Sequence, residues 1–290
     1  MNSNSGGNYT VNSENSALYV VATPIGNLGD MSQRAVEILQ QVALIAAEDT
    51  RHSARLLRHF AVTTPCVALH EHNEREQSSR LLQRLANGES VALIADAGTP
   101  LLSDPGFHLV QQARRQGIRV IPVPGPSAVI AALSVSGLPT DCFKFIGFLP
   151  AKAAARRQRL AALAAEPCTL AFYESPHRIL ESLADMSEML GSEREAVLAR
   201  ELTKTFETVQ GGSLNELQAF VSGDANQQKG EMVLLVAGAP AVETALDPEV
   251  ERILGILLEE LPVKQAAALA ARITGVKKNQ LYQQALTMKN

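Results

Sequence analysis

Short apolar runs alternate with amphipathic segments along most of the chain, from residue 17 to about residue 240. The runs LYVVA (18–22), VALIAA (42–47), VALIA (91–95) and IRVIPV (118–123) have the length and composition of buried strands. Apolar residues recur at helical spacing between them, in MSQRAVEILQQV, SARLLRHF, EREQSSRLLQRLANG, HLVQQARRQ and PSAVIAALSVSG. This alternation predicts a mostly parallel α/β sheet with crossover helices.

Local signals mark several helix ends. Ser32 is a suitable N-cap for the first helix, and SLNE (213–216) has the form of a capping box. Asp104 followed by Pro105 predicts an N-cap and first helical residue, and Gly117 predicts the end of that helix.

The pattern continues in a second half after the turn signals of LPTDC (138–142). Strand-like runs are FKFIGF, CTLAFY, EAVLAR and KGEMVLLVAG, with helices predicted over 152–165, over 176–190 and from the capping box onward. We interpret this half as a second α/β domain with a mixed sheet. Beyond residue 240 only helical patterns occur, and the pair joined at Thr274-Gly275 is typical of a small helix-turn-helix. The predicted domains are a disordered tail (1–16), two α/β domains (17–137 and 138–240) and a helical extension (241–290).

Composition and charge restrict how this chain could bind nucleic acid and where it could reside. The net charge is -4, aromatic residues make up 4% and tryptophan is absent, so any nucleic acid must be met by a local basic patch. The three cysteines form no CxxC motif, and we interpret them as reduced core residues of a cytoplasmic protein. The polar start does not have the form of a signal peptide, and no apolar run approaches the roughly 18 residues that a membrane span requires.

Three loops rich in glycine and proline follow first-half strands: VATPIGNLGD (21–30), DAGTPLLSDPG (96–106) and VPGPSA (123–128). Ligands of open α/β sheets bind at the carboxyl ends of the strands. Proline removes N–H groups, so carbonyl oxygens should dominate these loops, which favours a neutral or positive ligand. Neither GxxxxGK[ST] nor GxGxxG is present, which disfavours a phosphate cradle and a nicotinamide cofactor.

Nine segments in order carry a family resemblance: VVATPIGNLGDMSQRA, AAEDTRHSARLL, LHEHNE, ADAGTPLLSDPG, VPGPSA, FIGFLP, FYESPHR, ARELTKTFE and KGEMVLLV. Together they resemble the tetrapyrrole methylase superfamily, and within it the ribosomal RNA branch. The resemblance implies two α/β domains with a cleft between them that binds S-adenosyl-L-methionine (S-adenosylmethionine), a small C-terminal helical extension, and a homodimer. It also implies 2′-O-methylation of a cytidine in the decoding region of 16S rRNA, within the 30S subunit.

Two departures from the superfamily pattern favour the RNA branch. The first loop reads ATPIG where a GxGPG-like loop is usual, and the second has Thr99 where an acidic residue is usual. Two alternatives stay open: a methyltransferase for a tetrapyrrole or diphthine intermediate, and a non-catalytic ribosome-binding protein that keeps the fold.

The resemblance also implies a set of cofactor-binding residues. They are distributed over the three loops, the end of CTLAFY and the start of the last strand. These residues are Pro24, Asp96, Gly98, Thr99, Leu102, Ser127, Ala128, Tyr173 and Glu231.

Three polar clusters at strand ends supply candidates for the chemical step: EDTRH, HEHNE and ARELTKTFE. A ribose hydroxyl is a weak nucleophile while protonated, so a nearby base should help. The candidate bases are Glu48, His70 and Glu201, with Arg51, Arg200 and Lys204 as groups that steer phosphate or ribose. HEHNE lacks HExxH spacing, so no metal is expected.

A basic helix is the candidate RNA contact. KAAARRQR carries Lys152, Arg156, Arg157 and Arg159 with no acidic residue nearby in the sequence. Phosphate contacts from these cations would supply the patch that an acidic chain needs. Lys277 and Lys278 in the C-terminal helices are further candidates.

Overall fold

The computed structural model describes residues 16–240 and 246–289. The chain divides into two compact units between Ala239 and Pro240. Apart from Ser16, the predicted disordered tail lies outside the described residues.

Five parallel strands form the first sheet, as the alternation predicted. They are β1 (Ala17–Val21), β2 (Leu44–Ala47), β3 (Cys66–Ala68), β4 (Val91–Ile94) and β5 (Arg119–Val123), in the order β3-β2-β4-β1-β5. The helices are α1 (Gln33–Gln41), α2 (Thr50–His59), α3 (Glu74–Ala86), α4 (Phe107–Arg115) and α5 (Ala128–Ser136). Strand β3 was not predicted, because three half-buried residues are too few to show a period.

The strand order produces a crevice between β1 and β4. Helices α1 and α2 pack their apolar residues on one face of the sheet, and α3 and α4 pack on the other. The connections that leave β1 and β4 therefore run in opposite directions, as right-handed crossovers require. Adjacent strands with diverging connections leave a ligand-binding crevice at their carboxyl ends.

The second sheet is mixed, as predicted. Its strands are β6 (Phe143–Phe148), β7 (Thr169–Glu174), β8 (Glu195–Arg200), β9 (Thr208–Ser213) and β10 (Met232–Val236), in the order β6-β7-β10-β8-β9. Only β6 and β7 pair in parallel. Helices α6 (Ala153–Ala161), α7 (Ile179–Leu190) and α8 (Leu214–Gly223) cover one face, and α5 from the first half packs on the other. Helix α5, which follows β5 of the first sheet, therefore belongs to the core of the second sheet.

Most of the predicted helix ends are confirmed, and one is wrong. The Ser32 hydroxyl accepts a hydrogen bond from the Ala35 amide at 3.1 Å, and both bonds of the 213–216 capping box form. Helix α4, however, begins after Gly106 rather than at Asp104. The carboxylate of Glu74 accepts hydrogen bonds from the amides of Gly106 and His108, at 3.0 and 2.8 Å. A distant side chain thus caps the helix and leaves Asp104 available for another role.

The prediction of three reduced core cysteines is wrong for two of them. Cys142 and Cys168 form a disulfide, with their Cα atoms 5.0 Å apart, and Cys142 is exposed. Each cysteine directly precedes a strand, and β6 and β7 pair in parallel with Phe143 opposite Thr169. This register places the two cysteines side by side although 26 residues separate them. Cys66 is free and half-buried.

Three helices form the second unit: α9 (Pro248–Glu260), α10 (Val263–Thr274) and α11 (Lys278–Lys289). Leu254, Ala270 and Leu281 are fully buried in its small core. Gly275 ends α10 in the left-handed conformation (φ 74°), which confirms the predicted turn between the last two helices. Within residues 16–240 and 246–289, no helix is long and apolar enough to span a bilayer.

Candidate active site

Hydrogen bonds join the three predicted loops directly beyond the first sheet. Thr23 and Gly98 exchange two backbone hydrogen bonds, at 2.9 and 3.0 Å, which link the first loop to the second. The Thr99 hydroxyl donates to the Pro126 carbonyl at 3.0 Å, which links the second loop to the third. Gly125 lies so close to Ala22 that an added Cβ would meet the alanine Cβ at 3.0 Å. The loops therefore form one connected wall, as their shared position at strand ends predicted.

A cavity of about 470 Å³ lies between this wall and the second sheet. Its size falls within the range of small-molecule sites. The residues that line it come from the loops after β1, β4 and β5, from the ends of β6, β7, β8 and β10, and from segments beside them. They are Ile25, Ala97, Gly98, Thr99, Leu102, Ser103, Asp104, Ala128, Phe148, Tyr173, Glu174, Ser175, Pro176, Ala199, Leu202, Glu231, Met232 and Val233.

Six of the nine predicted cofactor residues line this cavity: Gly98, Thr99, Leu102, Ala128, Tyr173 and Glu231. Pro24, Asp96 and Ser127 do not. The Asp96 carboxylate accepts a hydrogen bond from the Asp49 amide at 3.2 Å. The Ser127 hydroxyl is buried beside the cavity residue Ala128 and has no hydrogen-bond partner within the described part of the chain.

Aromatic side chains form part of the cavity wall on the second sheet. The Tyr173 ring makes edge contacts with Phe145 and Phe148, at centroid distances of 4.9 and 5.6 Å. Burial, followed by the nearby charge of Asp104, raises the pKa of Tyr173, which keeps its hydroxyl protonated. Phe148 lines the cavity but was not among the predicted site residues, because FIGFLP shows only a strand followed by a turn.

Asp104 and Glu174 are titratable cavity residues that were not among the predicted site residues, and Asp104 has a strongly perturbed carboxyl group. Burial raises its pKa from 3.8 to about 7, and the charges of Glu48 and Asp96 add to the shift. The pKa of Glu48 is also raised, first by burial and then by Asp96. The three carboxylates come from loops after β2 and β4 that are distant in sequence, so only the sheet order brings them together. In the sequence, Asp104-Pro105 had the form of a helix start.

Glu201 and Lys204, two predicted catalytic residues, form an ion cluster at the rim of the cavity. The Lys204 Nζ atom lies 2.7 Å from Glu201 and 2.9 Å from Glu231, which lines the cavity. Burial lowers the pKa of Lys204, but the hydrogen bonds to both glutamates outweigh it and the net shift is upward. A Cβ on Gly26 would lie 2.5 Å from the Lys204 Cγ atom, so the glycine of ATPIG allows the first loop to reach this cluster.

The remaining predicted catalytic residues do not line the cavity. Arg51 is 91% exposed and pairs with Asp49 at 3.3 Å. His70 is exposed on a turn, where its amide donates to the Asn73 side chain at 2.9 Å. Arg200 is buried and donates to the Phe206 carbonyl and the Thr208 hydroxyl, at 2.9 and 3.1 Å. It therefore holds the loop between β8 and β9 instead of facing a substrate.

Two carbonyl groups of the loop wall, where carbonyl oxygens were predicted to dominate, already accept hydrogen bonds within the wall. The Gly98 carbonyl accepts from the Thr23 amide, and the Pro126 carbonyl accepts from Thr99. The cavity instead offers carboxylates to a positive ligand, through Asp104, Glu174 and Glu231. Among the described residues no group of histidine, cysteine, aspartate and glutamate side chains is arranged to hold a metal ion.

The basic helix does not present all of its cations to solvent, as the sequence interpretation assumed. Arg156 is only 2% exposed, and its Nε atom lies 2.5 Å from the Asp185 carboxylate, so it is unavailable to RNA. Arg157 is half-exposed and pairs with Asp185 and Glu188, at 2.6 and 3.1 Å. Their acidic partners come from α7, which is distant in sequence and packs against α6. Lys152, Arg159, Lys277 and Lys278 are exposed.

Comparisons with known proteins agree with this architecture. Residues 17–218 match the family model described as Tetrapyrrole (Corrin/Porphyrin) Methylases, and residues 244–289 match the model described as RsmI C-terminal HTH domain. Among solved structures, uroporphyrin-III-C-methyltransferase from Thermus thermophilus superposes with a TM-score of 0.54 at 20% identity, over 77% of this chain and 94% of its own. Diphthine synthase superposes with a TM-score of 0.56 at 18% identity, over 77% and 90%. These likenesses show the fold alone.

Curated relatives are more similar. The protein named ribosomal RNA small subunit methyltransferase I of Pseudomonas aeruginosa is 65% identical over 271 residues, 93% of this chain and 96% of the relative. The protein of the same name of Escherichia coli O157:H7 is 57% identical over 269 residues, 93% of this chain and 94% of the relative. Since a family model matches well over half of the chain and these relatives match more than nine-tenths of it, the chain belongs to the tetrapyrrole methylase family of methyltransferases.

Proposed function

We propose that this methyltransferase transfers a methyl group from S-adenosylmethionine to the 2′-oxygen of a cytidine in the decoding region of 16S rRNA. The observation that carries the proposal is the cavity between the loop wall and the second sheet, lined by six of the predicted cofactor residues. The name shared by the relatives, which refers to small subunit ribosomal RNA, supports the choice of substrate. The exact position and atom come from the resemblance of the nine sequence segments.

The cavity suits S-adenosylmethionine in size, charge and polarity. Its carboxylates favour a positively charged ligand, and its apolar lining suits the flat nucleoside. The Ser127 and Thr203 hydroxyls, each next in sequence to a lining residue, are buried without a partner among the described residues. We assign the cofactor to Gly98, Thr99, Leu102, Ala128 and Tyr173. When bound, the cofactor would supply an electrophilic methyl group from its sulfonium. The thioether that remains would keep the electron pair of the former bond between sulfur and methyl.

The chain's own residues would bring the ribose to this cavity. Lys204 is held at the rim by two glutamates, where a cation can orient a phosphate or a ribose hydroxyl. The exposed cations Lys152, Arg159, Lys277 and Lys278 are the remaining candidates for phosphate contacts. Because the net charge is -4, we propose that an assembled 30S particle in the cytoplasm, with its defined surface, is the substrate.

We also propose that the protein acts as a homodimer. Helix α5 is apolar apart from Ser134 and Ser136, yet Ile130 and Val135 are 52% and 56% exposed. A second copy of the chain covering these side chains would explain them. Analytical ultracentrifugation at micromolar concentration should give the dimer mass, and a monomer would contradict this part of the proposal.

The function is tested with radiolabelled S-adenosylmethionine and 30S particles from a strain that lacks the corresponding methylation. We expect label in 16S rRNA only, and mass spectrometry of nuclease fragments should place it on the ribose of one cytidine. Mature 30S particles and a porphyrinoid serve as negative substrates. The matched protein control is Gly98→Val, which fills the cavity wall.

Each result has a distinct meaning. Label on the base or at another nucleotide would contradict the 2′-O-cytidine assignment but keep an RNA methyltransferase. Label on the porphyrinoid alone would favour the tetrapyrrole alternative. Binding of S-adenosylmethionine in calorimetry without transfer to any substrate would favour the non-catalytic ribosome-binding alternative.

A further inference from the structure

The loop 99–106 is strained at its centre and tied by hydrogen bonds at both ends. Leu101 and Ser103 adopt left-handed backbone conformations, with φ 75° and 74°, although neither is glycine. One end of the loop is fixed by the Thr99 hydroxyl on the Pro126 carbonyl. The other end is fixed by Glu74, which binds the amides of Gly106 and His108. Strain of this kind persists only where the surrounding contacts over-determine the conformation, and it concentrates at functional sites.

This loop presents Asp104 to the cavity without a partner. Among the described residues no hydrogen bond or ion pair reaches its carboxylate, although the side chain lines the cavity. The other two lining carboxylates are occupied. Glu174 accepts from the Ser182 hydroxyl at 2.6 Å and pairs with Arg178 at 3.0 Å. Glu231 pairs with Lys204. Asp104 is therefore the lining carboxylate with neither oxygen in a hydrogen bond or ion pair among the described residues.

We propose that Asp104 is the catalytic base of the methyl transfer, an inference that rests on the proposed function. In this step the 2′-hydroxyl proton passes to the Asp104 carboxylate. The ribose oxygen forms a bond to the methyl carbon as the bond between methyl and sulfur breaks. Charge balances, because the sulfonium becomes a neutral thioether and the carboxylate becomes a neutral acid.

The surroundings of Asp104 suit this role. It is faced by Glu48 after β2, by Asp96 after β4 and by Tyr173 on β7. Burial and the two neighbouring carboxylates raise its pKa to about 7, near the value at which a base is both ionised and able to hold a proton. Glu48, a base candidate from the sequence, does not line the cavity, so we assign it to tuning Asp104 through its charge.

The test compares Asp104→Asn and Asp104→Glu with wild type in single-turnover methylation of 30S particles between pH 5.5 and 9. We expect the wild-type rate to rise with pH and level off above about 7, since only the ionised carboxylate accepts a proton. Asp104→Asn should lose about 100-fold or more of the rate, the usual contribution of a general base, and lose this inflection. Asp104→Glu should recover part of the rate. The matched control is Asp141→Asn, which removes an exposed aspartate of the turn before β6.

Two measurements do not depend on turnover. Calorimetry gives the S-adenosylmethionine affinity of each variant, so that rates are compared at saturating cofactor. The loss in Asp104→Asn should persist at saturation, which separates a base from a group that only binds the cofactor. Carbon NMR of aspartate carboxyl groups should show one resonance that titrates near pH 7 in wild type and is absent from Asp104→Asn.

The outcomes distinguish this proposal from the function beneath it. If wild type methylates 30S particles and Asp104→Asn does so at a similar rate, the base assignment is overturned while the function stands. A loss of rate explained by weaker cofactor binding also overturns it. If wild type binds S-adenosylmethionine but methylates no 30S particle, the proposed function fails and the base assignment fails with it.

Discussion

Replacing Arg156 by methionine should destabilise the fold strongly, because its charge is buried. The side chains of Arg156 and Asp185 are 2% and 4% exposed, and their ion pair measures 2.5 Å. Removing one partner of a buried ion pair costs about 3–5 kcal/mol. The Arg157 Nε atom stays 2.6 Å from the other Asp185 oxygen, so Asp185 keeps one partner and we expect the lower end. In a unit of this size, about 3 kcal/mol corresponds to a Tm lower by roughly 6–12 °C.

Urea and thermal unfolding measure this difference, and Arg159→Met is the matched control. Arg159 is on the same helix, is exposed and has no ion pair among the described residues, so its loss should leave stability nearly unchanged. Burial opposes ionisation of Asp185, but hydrogen bonds from Arg157 and Arg156 lower its pKa below 3.8. The ion pair therefore contributes fully above that pH, and the effect of Arg156→Met should shrink in stronger acid. If Arg156→Met unfolded at the same urea concentration as Arg159→Met near neutral pH, the buried ion pair would not be stabilising α6 on α7.

Gly98→Val should abolish S-adenosylmethionine binding in calorimetry with a native circular dichroism spectrum, because valine adds three carbons at a position that lines the cavity, where its Cβ already contacts Ile25 at 3.4 Å. Gly117→Val, with a similar left-handed φ of 73° but open space around it, should bind normally, and equal losses would point to backbone strain instead. Enzyme treated with EDTA and then freed of it should methylate intact 30S particles at the wild-type rate; restoration of a lost rate by zinc would show a metal requirement. Arg159→Glu should reduce the slope of log affinity for 30S particles against log salt by about 0.7–0.9, and an unchanged slope would remove it from the RNA contact. Asp104→Asn should raise Tm more at pH 8 than at pH 4, because a carboxyl with a pKa raised to about 7 destabilises the fold most when it must ionise, and an equal change at both pH values would contradict the raised pKa.

The sequence by itself determined the features that depend on neighbouring residues. The alternation of strands and helices, the Ser32 cap and the 213–216 capping box are encoded within a few positions, so their hydrogen-bond geometry could be predicted. The glycine and proline loops were also predictable, since they follow strand runs directly. Parallel strands with these loops at their carboxyl ends must bring the loops to one edge of the sheet, and six of the predicted cofactor residues do line the cavity there.

Tertiary structure decided the features that depend on which elements become neighbours. Glu74 caps α4 from 32 residues away, which frees Asp104 from the capping role that its sequence context predicted. The pairing of β6 with β7 brings Cys142 to Cys168, and the packing of α6 on α7 buries Arg156 beside Asp185. Because β2 and β4 are adjacent, Glu48 lies near Asp96 and Asp104, and the charges of Glu48 and Asp96 add to the effect of burial in raising the pKa of Asp104. The burial and the pKa of a side chain depend on all the groups around it in space, and a linear pattern specifies only the neighbours along the chain.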